Sequence, residues 1–489
     1  MNDFLRRSLL LLVLGVSYAF LFYRAPLGLN VLLFDGLLIG LALRARPELS
    51  QYRGFSWSVA GLLFAAGSVV LVHGSASTVA HHLTFLLVLG YAQERELRFV
   101  WFGLLLGLRS LLLGHIRWLR DVAGQWRARS GVRTRWPALA WFKQGLVPAF
   151  ILLAFTGFYL AGNTRFAEGF AKMGNFFLFS WRFWDVIGPL LTTLLGLFLV
   201  AAFFFPLASP RKVLEWQAGF QDQLKRRGAD EGPNWFKVLN PFRALKNEYR
   251  RAVLTFALLN VLLAIVNSTD LRFVWLDSGN LDAATLSHYV HVGTYNLTFS
   301  IFLAMGVVVY YFRGSLNFMA GRELLAPLAR LWLAQNALLA LSVGLRNYHY
   351  IDAYGLAMGR VYVGFVLLLI LFGLFTLYRK IGRKLSLSYL LHTNGLAAWL
   401  FLLAFGAVNW PGVITRYNLA VPGEKAIDWH YLEWSLDDRN TFLLLEQPGV
   451  KQQVLRHRWE GTFRQYDWRG WNYPDWRNLR AVEQSRLER

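Results

Sequence analysis

The sequence predicts an all-α protein: a polytopic transmembrane helix bundle of about 11 spans, with a small, Trp-rich, mainly helical appendage at its C-terminal end. Residues 1 to 407 form a string of apolar runs of membrane-spanning length, broken by short loops in which arginines gather. Hydrocarbon admits only helices or closed barrels, and runs this continuous lack the strict alternation of barrel strands. Composition agrees, because 55% hydrophobic and 16% charged residues lie far from the soluble average. The formal charge of +22 is concentrated rather than spread: residues 408 to 489 hold 12 Lys and Arg against 11 Asp and Glu, leaving 39 against 18 for the apolar part. Positive charge in loops between spans holds those loops on the cytoplasmic side and meets anionic headgroups. No nucleic-acid reading module accompanies it, so nucleic acid is not expected as a partner.

In chain order, spans are expected near 9–23, 29–44, 57–74, 79–92, 145–161, 184–205, 252–269, 293–312, 327–345, 356–378 and 388–408. The first could pass for a signal peptide with Arg6 and Arg7 as its basic end, but no small-residue cleavage site follows, and it reads as a span. The run 79–92 is near the lower limit for crossing. A further run, 99–116, carries Arg109, and Arg98, Arg109 and Arg120 recur on one helix face opposite Leu104, Leu105, Leu108, Leu111 and Leu112. Such a stripe describes a helix lying on the membrane surface. Charge counting agrees: with 99–116 on the surface and the N-terminus inside, the basic segments 117–143, 206–251 and 379–384 are all cytoplasmic. The segment 270–292, with Asp270, Asp277 and Asp282 against Arg272, is then outside, and so is the C-terminus. This is the pattern of a bacterial inner-membrane protein.

The division is thus 1–407 as bundle and 408–489 as extracytoplasmic appendage. The appendage is broken by Pro411, Pro422, Pro448 and Pro474, and helices are expected near 439–447, capped by Asp437 and Asp438, and near 450–466 and 474–487. Its tryptophans, Trp410, Trp429, Trp434, Trp459, Trp468, Trp471 and Trp476, suit a small core or the headgroup level. Having no cysteine, the chain has no disulfide, thiolate nucleophile or cysteine metal site.

Polar groups at membrane depth are costly and mark candidate sites. Asp35 interrupts an early span and suits proton relay, cation binding or a structural pairing. Asn260 and Asn267, seven residues apart on one face, and Asn336 in mid-span suit either a path or hydrogen bonds that join helices. His81 and His82 open a span and are read as interfacial, and His392 and Asn394 likewise.

The densest polar cluster joins two segments predicted to share the outer surface. One runs from Asp270 to Tyr295 with His288, Tyr289 and His291; the other is Arg346, Asn347, Tyr348, His349, Tyr350, Ile351, Asp352, Ala353 and Tyr354, followed by Gly355 and Arg360. Arg360 needs an acid, a carbonyl or a ligand anion, and Asp352, Asp270 and the glutamates of the tail are available. Three chemistries suit the cluster: a metal held by His288, His291, His349 and Asp352; a binding or acid/base site in which Arg346 or Arg360 holds an anion; and a hydrogen-bond network that locks the loops together. The histidine spacing is a weak metal signal, so neither metal nor cofactor is expected, and no P-loop, zinc-protease helix, serine elbow or kinase signature is present.

The stretches STDLRFVW, YVHVGTYNLTFSIFLA, LWLAQNALLALSVGLR, YIDAYGLAMGR, WPGVITRYNL, DWHYLEWSLDD and DWRGWNY resemble a bacterial integral membrane family known only as a domain of unknown function, with a Tyr-x-His-x-Gly-x-Tyr loop. The similarity covers roughly 140 to 475, more weakly GLNVLLFDGLL. The family pattern corresponds to Tyr289, His291, Gly293, Tyr295, Asn336, Arg346, Tyr350, Tyr354, Gly355, Arg360, Arg416 and Asn418. Departures are Gly162-Asn163 and the extra His288 and His349. The resemblance implies architecture and location, and no activity.

Three functions follow as expectations. The first is moving or binding a small anionic or lipid-linked solute, with Asp35, Asn260, Asn267 and Asn336 lining a path. The second is a membrane sensor or assembly subunit that binds a partner protein through the tail and the basic loops. The third is an integral-membrane enzyme acting on a lipid-linked substrate. The bilayer is the one certain partner, with anionic lipid at the basic loops a further one.

Overall fold

The computed structural model describes residues 3–130, 181–224, 241–276, 294–318, 323–420, 427–447 and 467–487, with scattered helical residues between 148 and 169. The expected span 145–161, the loop with His288, Tyr289 and His291, and the expected helix 450–466 fall largely or wholly outside these residues. No strand occurs among the described residues. The long helices are α1 (Asp3–Phe22), α2 (Leu29–Ala45), α3 (Arg53–Leu71), α4 (Ser75–Tyr91), α5 (Val100–Ser130) and α6 (Trp181–Phe204). After the short α7 (Arg211–Gly219) come α8 (Pro241–Asp270), α9 (Thr294–Tyr311), α10 (Leu325–Tyr354), α11 (Met358–Arg383) and α12 (Leu387–Gly406). In the tail, α13 is Trp410–Ala420 and α14 is Tyr473–Leu487.

Eight described helices, α1, α3, α5, α6, α8, α10, α11 and α12, are long and apolar enough to cross a membrane. The 17 residues of α2 and of α4 give each helix a length of about 26 Å, close to the hydrocarbon thickness. Leucines facing outward, among them Leu258, Leu262, Leu303 and Leu368, cover the flanks with apolar surface. That is the pattern of helices solvated by lipid rather than by water.

The described residues fall into two compact units. The first comprises Met1–Pro26, Gly36–Glu48 and Leu108–Leu207. Here α1 and α6 lie antiparallel: Tyr23 meets Gly188 and Tyr18 meets Gly196, while Leu197 sits over Gly15. Arg24 pairs with Asp185 at 3.1 Å at one end, and Arg7 donates to the Phe204 carbonyl at 3.4 Å at the other. The second half of α5 joins this latter end. Gly114 abuts Ala202, and Trp118 Nε1 donates to Ser8 Oγ at 3.2 Å.

The second unit comprises Leu27–Asp35, Leu49–Gly107 and Ala208–Arg489. One core of it is built from α8 to α11, with Phe256, Ile301, Val308, Phe312, Ala329, Val343, Ile370 and Leu374 all buried. Asn260 donates to the Leu328 carbonyl and Asn267 to the Gln335 carbonyl, at the same 68-residue offset. A constant offset means α8 and α10 run parallel, so α9 must return between them. A second group packs α3 and α4 on α12 through Ala65, Ala80 and Leu403, with Trp399 Nε1 donating to Thr84 Oγ1 at 2.9 Å. The opening turns of α5 pack on the last turns of α4 so closely that a Cβ on Gly90 would lie 1.9 Å from the Gly103 carbonyl oxygen, and one on Gly107 1.9 Å from that of Leu86. Only glycine lets two helix backbones approach this far.

Among the described residues, Ile414, Leu432, Leu436, Leu444, Leu479 and Val482 of the tail are buried together with Val361 of α11 and Phe405 of α12. Trp410 stacks on Phe405 at 5.2 Å, whereas Trp434 and Trp468 are exposed. Asp437 accepts from Arg439 N at 3.2 Å and caps the short helical turns Asp438–Asn440 and Thr441–Leu444, where a longer helix was expected. The expected helix at 474–487 is α14. Four tethers fix the tail to one end of the bundle. Leu29 N donates to the Trp471 carbonyl at 2.8 Å, Arg439 Nη1 to the Val72 carbonyl at 3.2 Å, Met358 N to Tyr431 Oη at 2.9 Å, and Leu356 N to Asn418 Oδ1 at 2.6 Å.

Candidate functional site

The sequence places Arg346 to Tyr354 in a loop between spans; the structure makes it the last turns of α10, whose 30 residues extend about 45 Å. The helix stops at Gly355, which takes φ +77°, a region that favours glycine. A Cβ there would also meet Asn418 Oδ1 at 2.6 Å. Asn418 holds this turn from both sides, accepting from Leu356 N and donating to the Leu356 carbonyl at 2.9 Å. Arg360, in the first turn of α11, folds back to donate to the Gly355 carbonyl. Its guanidinium lies 4.1 Å from the Tyr350 ring centroid and 5.9 Å from that of Tyr354. Among the described residues its charge thus meets a carbonyl and two ring faces. Neither Asp270 nor Asp352 forms an ion pair with it.

Around this turn is a cavity of about 530 Å³. Tyr350, Asp352, Tyr354 and Arg360 come from the α10–α11 turn, and Tyr417, Asn418, Asp428 and Tyr431 from the tail. Tyr431 is fixed at both its ends, its N–H donating to Asp428 Oδ1 at 2.9 Å and its hydroxyl accepting from Met358 N. The lining therefore offers a cation, carboxylates, an amide and aromatic faces, a set suited to a ligand with both hydroxyls and charge. Two other cavities of about 490 and 500 Å³ are lined almost entirely by apolar side chains.

Asp270 takes a different partner from the one expected. It is buried at the end of α8 and pairs with Arg346 of α10, and the two side chains are 7% and 12% exposed. The reach is possible because α8 and α10 are parallel and arginine is long enough to run back along its own helix. Among the described residues Asp270 Oδ2 and Arg346 Nε have no hydrogen-bond partner, nor do Asn347 Oδ1 and His349 Nε2 nearby in sequence. Asn347 does donate to the Arg360 carbonyl at 3.0 Å, linking the pair's helix to the cavity turn. The candidate residues thus separate into a buried ion pair, Asp270 with Arg346, and an open cavity around Tyr350, Asp352, Tyr354 and Arg360. The backbone of Tyr295 lies in the first turn of α9.

Of the intramembrane polar residues, Asp35, Asn260 and Asn267 join helices. Asp35, 2% exposed, accepts from or donates to His81 Nε2 at 2.7 Å, so His81 is buried rather than interfacial. Asn260 bonds the Phe256 and Leu328 carbonyls and accepts from Gln335 Nε2 at 2.7 Å. Asn336 donates to the Trp332 carbonyl within its own helix at 2.8 Å. Asn394 bonds Thr376 Oγ1 at 3.0 Å, and the His392 ring stands edge-on to Phe99 at 5.7 Å.

Sequence reasoning did not single out Asp428 or Tyr431, which lie some 70 residues from the α10–α11 turn they meet. The tail tyrosines carry no spacing signal, and their selection depends on how the tail folds back.

Helices of this length and apolarity define a polytopic helical membrane protein. The chain belongs to the family described as Domain of unknown function (DUF4153), whose model matches residues 54–445. No curated protein and no solved structure matches it. The match begins well before the 140 expected from sequence and ends short of α14, and it contains the α10–α11 turn and the tail residues that line the cavity.

Proposed function

We propose that this membrane protein binds a small anionic or lipid-linked solute in the cavity at the α10–α11 turn. The observation that carries this reading is the polar lining of that cavity, drawn from both tail and bundle, set against the apolar lining of two others. Arg360 would hold a phosphate or carboxylate. Asp352 and Asp428 would accept from hydroxyls, and Tyr354 and Tyr417 would cover a ring face. A sugar phosphate, free or lipid-linked, has this chemistry.

Transport has less support. Of the candidate path residues, Asp35, Asn260 and Asn267 are bonded to neighbouring helices, and Asn336 is bonded to a carbonyl of its own helix. A sensing role fits one specific observation: ligand in the cavity would touch both the tail and the turn that starts α11, and so bias how the tail sits. The reading keeps the expected setting of a bacterial inner membrane, N-terminus inside and C-terminus outside. It also keeps α5 on the surface, although α5 is long enough to span. In each unit α5 meets its neighbours near their ends: Gly90 near the end of α4 in one, Ala202 near the end of α6 and Ser8 near the start of α1 in the other.

The test is calorimetric titration of the purified protein with glucose 1-phosphate, inorganic phosphate and farnesyl phosphate. Binding of at least one probe is expected, weakened in Asp352→Asn and Tyr354→Ala. Correctly folded protein that binds none of the three, or binds them equally well in both variants, overturns the reading. Uptake of the same probes into proteoliposomes would restore transport to first place. A reporter joined after Arg489 should report the outer side.

A further inference from the structure

A second site stands at the opposite end of α3, α4 and α12 from the tail. A groove of about 450 Å³ runs between these helices, with Trp57, Leu87, Leu396 and Trp399 among its apolar lining. Two arginines also line it, Arg53 at the start of α3 and Arg98 just before α5, and no lining residue is acidic. Arg98 pairs with Asp222, which leaves further guanidinium donors open. Arg53 is exposed and has no ion-pair or hydrogen-bond partner among the described residues. Trp57 is 74% exposed at the edge of the groove, as expected of an indole at the headgroup level. His392, whose Nδ1 has no partner, lines the same groove.

A soluble anion would use the arginines and leave the apolar slot empty; an apolar solute would use the slot and leave the arginines without a function. A molecule with an anionic head and an acyl tail uses both. We infer that the groove holds one chain of an anionic glycerophospholipid of the surrounding bilayer, with its phosphate at Arg53 and Arg98. The site is independent of the cavity at the α10–α11 turn and lies on other helices. It differs too from the general attraction of the basic loops, because it needs shape as well as charge.

Native mass spectrometry of the detergent-purified protein, given an equal mixture of phosphatidylglycerol and phosphatidylcholine with matched chains, tests it. Retention of phosphatidylglycerol over phosphatidylcholine is expected. Arg53→Gln should lower that preference roughly fivefold, as removal of one headgroup cation predicts, while Arg53→Lys keeps most of it. Leu396→Trp, which fills the groove at an already exposed position, should reduce retention of both lipids and leave Arg53 in place. An unchanged preference in Arg53→Gln, or unchanged retention in a folded Leu396→Trp, overturns the proposal. Should Leu396→Trp fail to elute as a single species, the Arg53 pair of variants decides alone.

Discussion

Two carboxylates are buried among the helices of the second unit, and they are held in different ways. Asp270 faces an arginine, a cation that proteins do not deprotonate, so the pair is ionic at every pH at which the carboxylate is charged. Asp35 faces a histidine, which can be charged or neutral, so a single proton between the two can leave both uncharged. The first arrangement fixes charge inside the bundle and leaves Asp270 Oδ2 and Arg346 Nε unsatisfied. The second lets the charge disappear. The identity of the basic partner therefore decides whether a buried acid is a permanent dipole or an ordinary hydrogen bond.

The largest expected effect breaks the first pair. Arg346→Met leaves Asp270 buried without a counter-charge and should cost about 3–5 kcal/mol, read as a loss of thermal stability in detergent. Adding Asp270→Leu to the same chain should recover most of that loss; a double variant as unstable as the single would show that the pair does more than neutralise itself. Next comes Lys380, a third buried charge, whose Nζ donates to the Phe312 carbonyl at 2.6 Å just past the end of α9. Its partner among the described residues is a neutral carbonyl, so Lys380→Met removes the charge together with its need. Loss of about 1.5–3 kcal/mol is expected from the unmade charge-assisted bond.

Asp35→Asn should matter less, about 1 kcal/mol, because an amide can still bond a neutral imidazole. A cost equal to that of Arg346→Met would mean the Asp35 and His81 pair is ionic, and the contrast between the two pairs would fail. The smallest effect lies outside the membrane. Hydrogen bonds from Arg469, including Nε at 2.6 Å, hold the Asp467 carboxyl below the usual carboxylate range. A depressed folded pKa contributes stability above the unfolded value and loses it as pH falls through the folded one. The turn at 467–471 should therefore loosen only in acid below the ordinary aspartate range. Hydrogen exchange at Gly470 and Trp471 would read this, and Asp467→Asn should abolish the pH dependence.

Much of the architecture is legible in the sequence because hydrocarbon leaves few choices. The expected runs at 57–74, 184–205, 356–378 and 388–408 correspond to α3, α6, α11 and α12 within a few residues. Helix ends were less legible. The starts of α8 and α1 extend into charged sequence, where a helix outside hydrocarbon is limited by capping and not by polarity; Asp3 and Arg7, one turn apart, pair at 3.0 Å. The misplacement of His81 has the same origin. With α4 beginning at Ser75, His81 is six residues in, as Asp35 is six residues into α2. Two polar residues at equal depth were there to be matched, and a span drawn from 79 hid one of them.

The candidate site was half legible for a different reason. Tyr350, Asp352, Tyr354 and Arg360 cluster in sequence and so could be found by their density. Asp270 and Arg346 were both identified, but their pairing depends on α8 and α10 being parallel neighbours. Asp428 and Tyr431 depend on the path of the tail, which has no periodicity to read.

The four tail tethers have a consequence for how the molecule comes to exist. Residues past 410 are made after all the long helices, and they supply one wall of the cavity at the α10–α11 turn. A nascent chain can therefore complete its helices and still have no pocket. The pocket is completed in the last step of assembly, when Asn418, Tyr431, Arg439 and Trp471 find their places. Chains that stop short of the tail would be inserted without this pocket, which separates membrane residence from completion of the cavity.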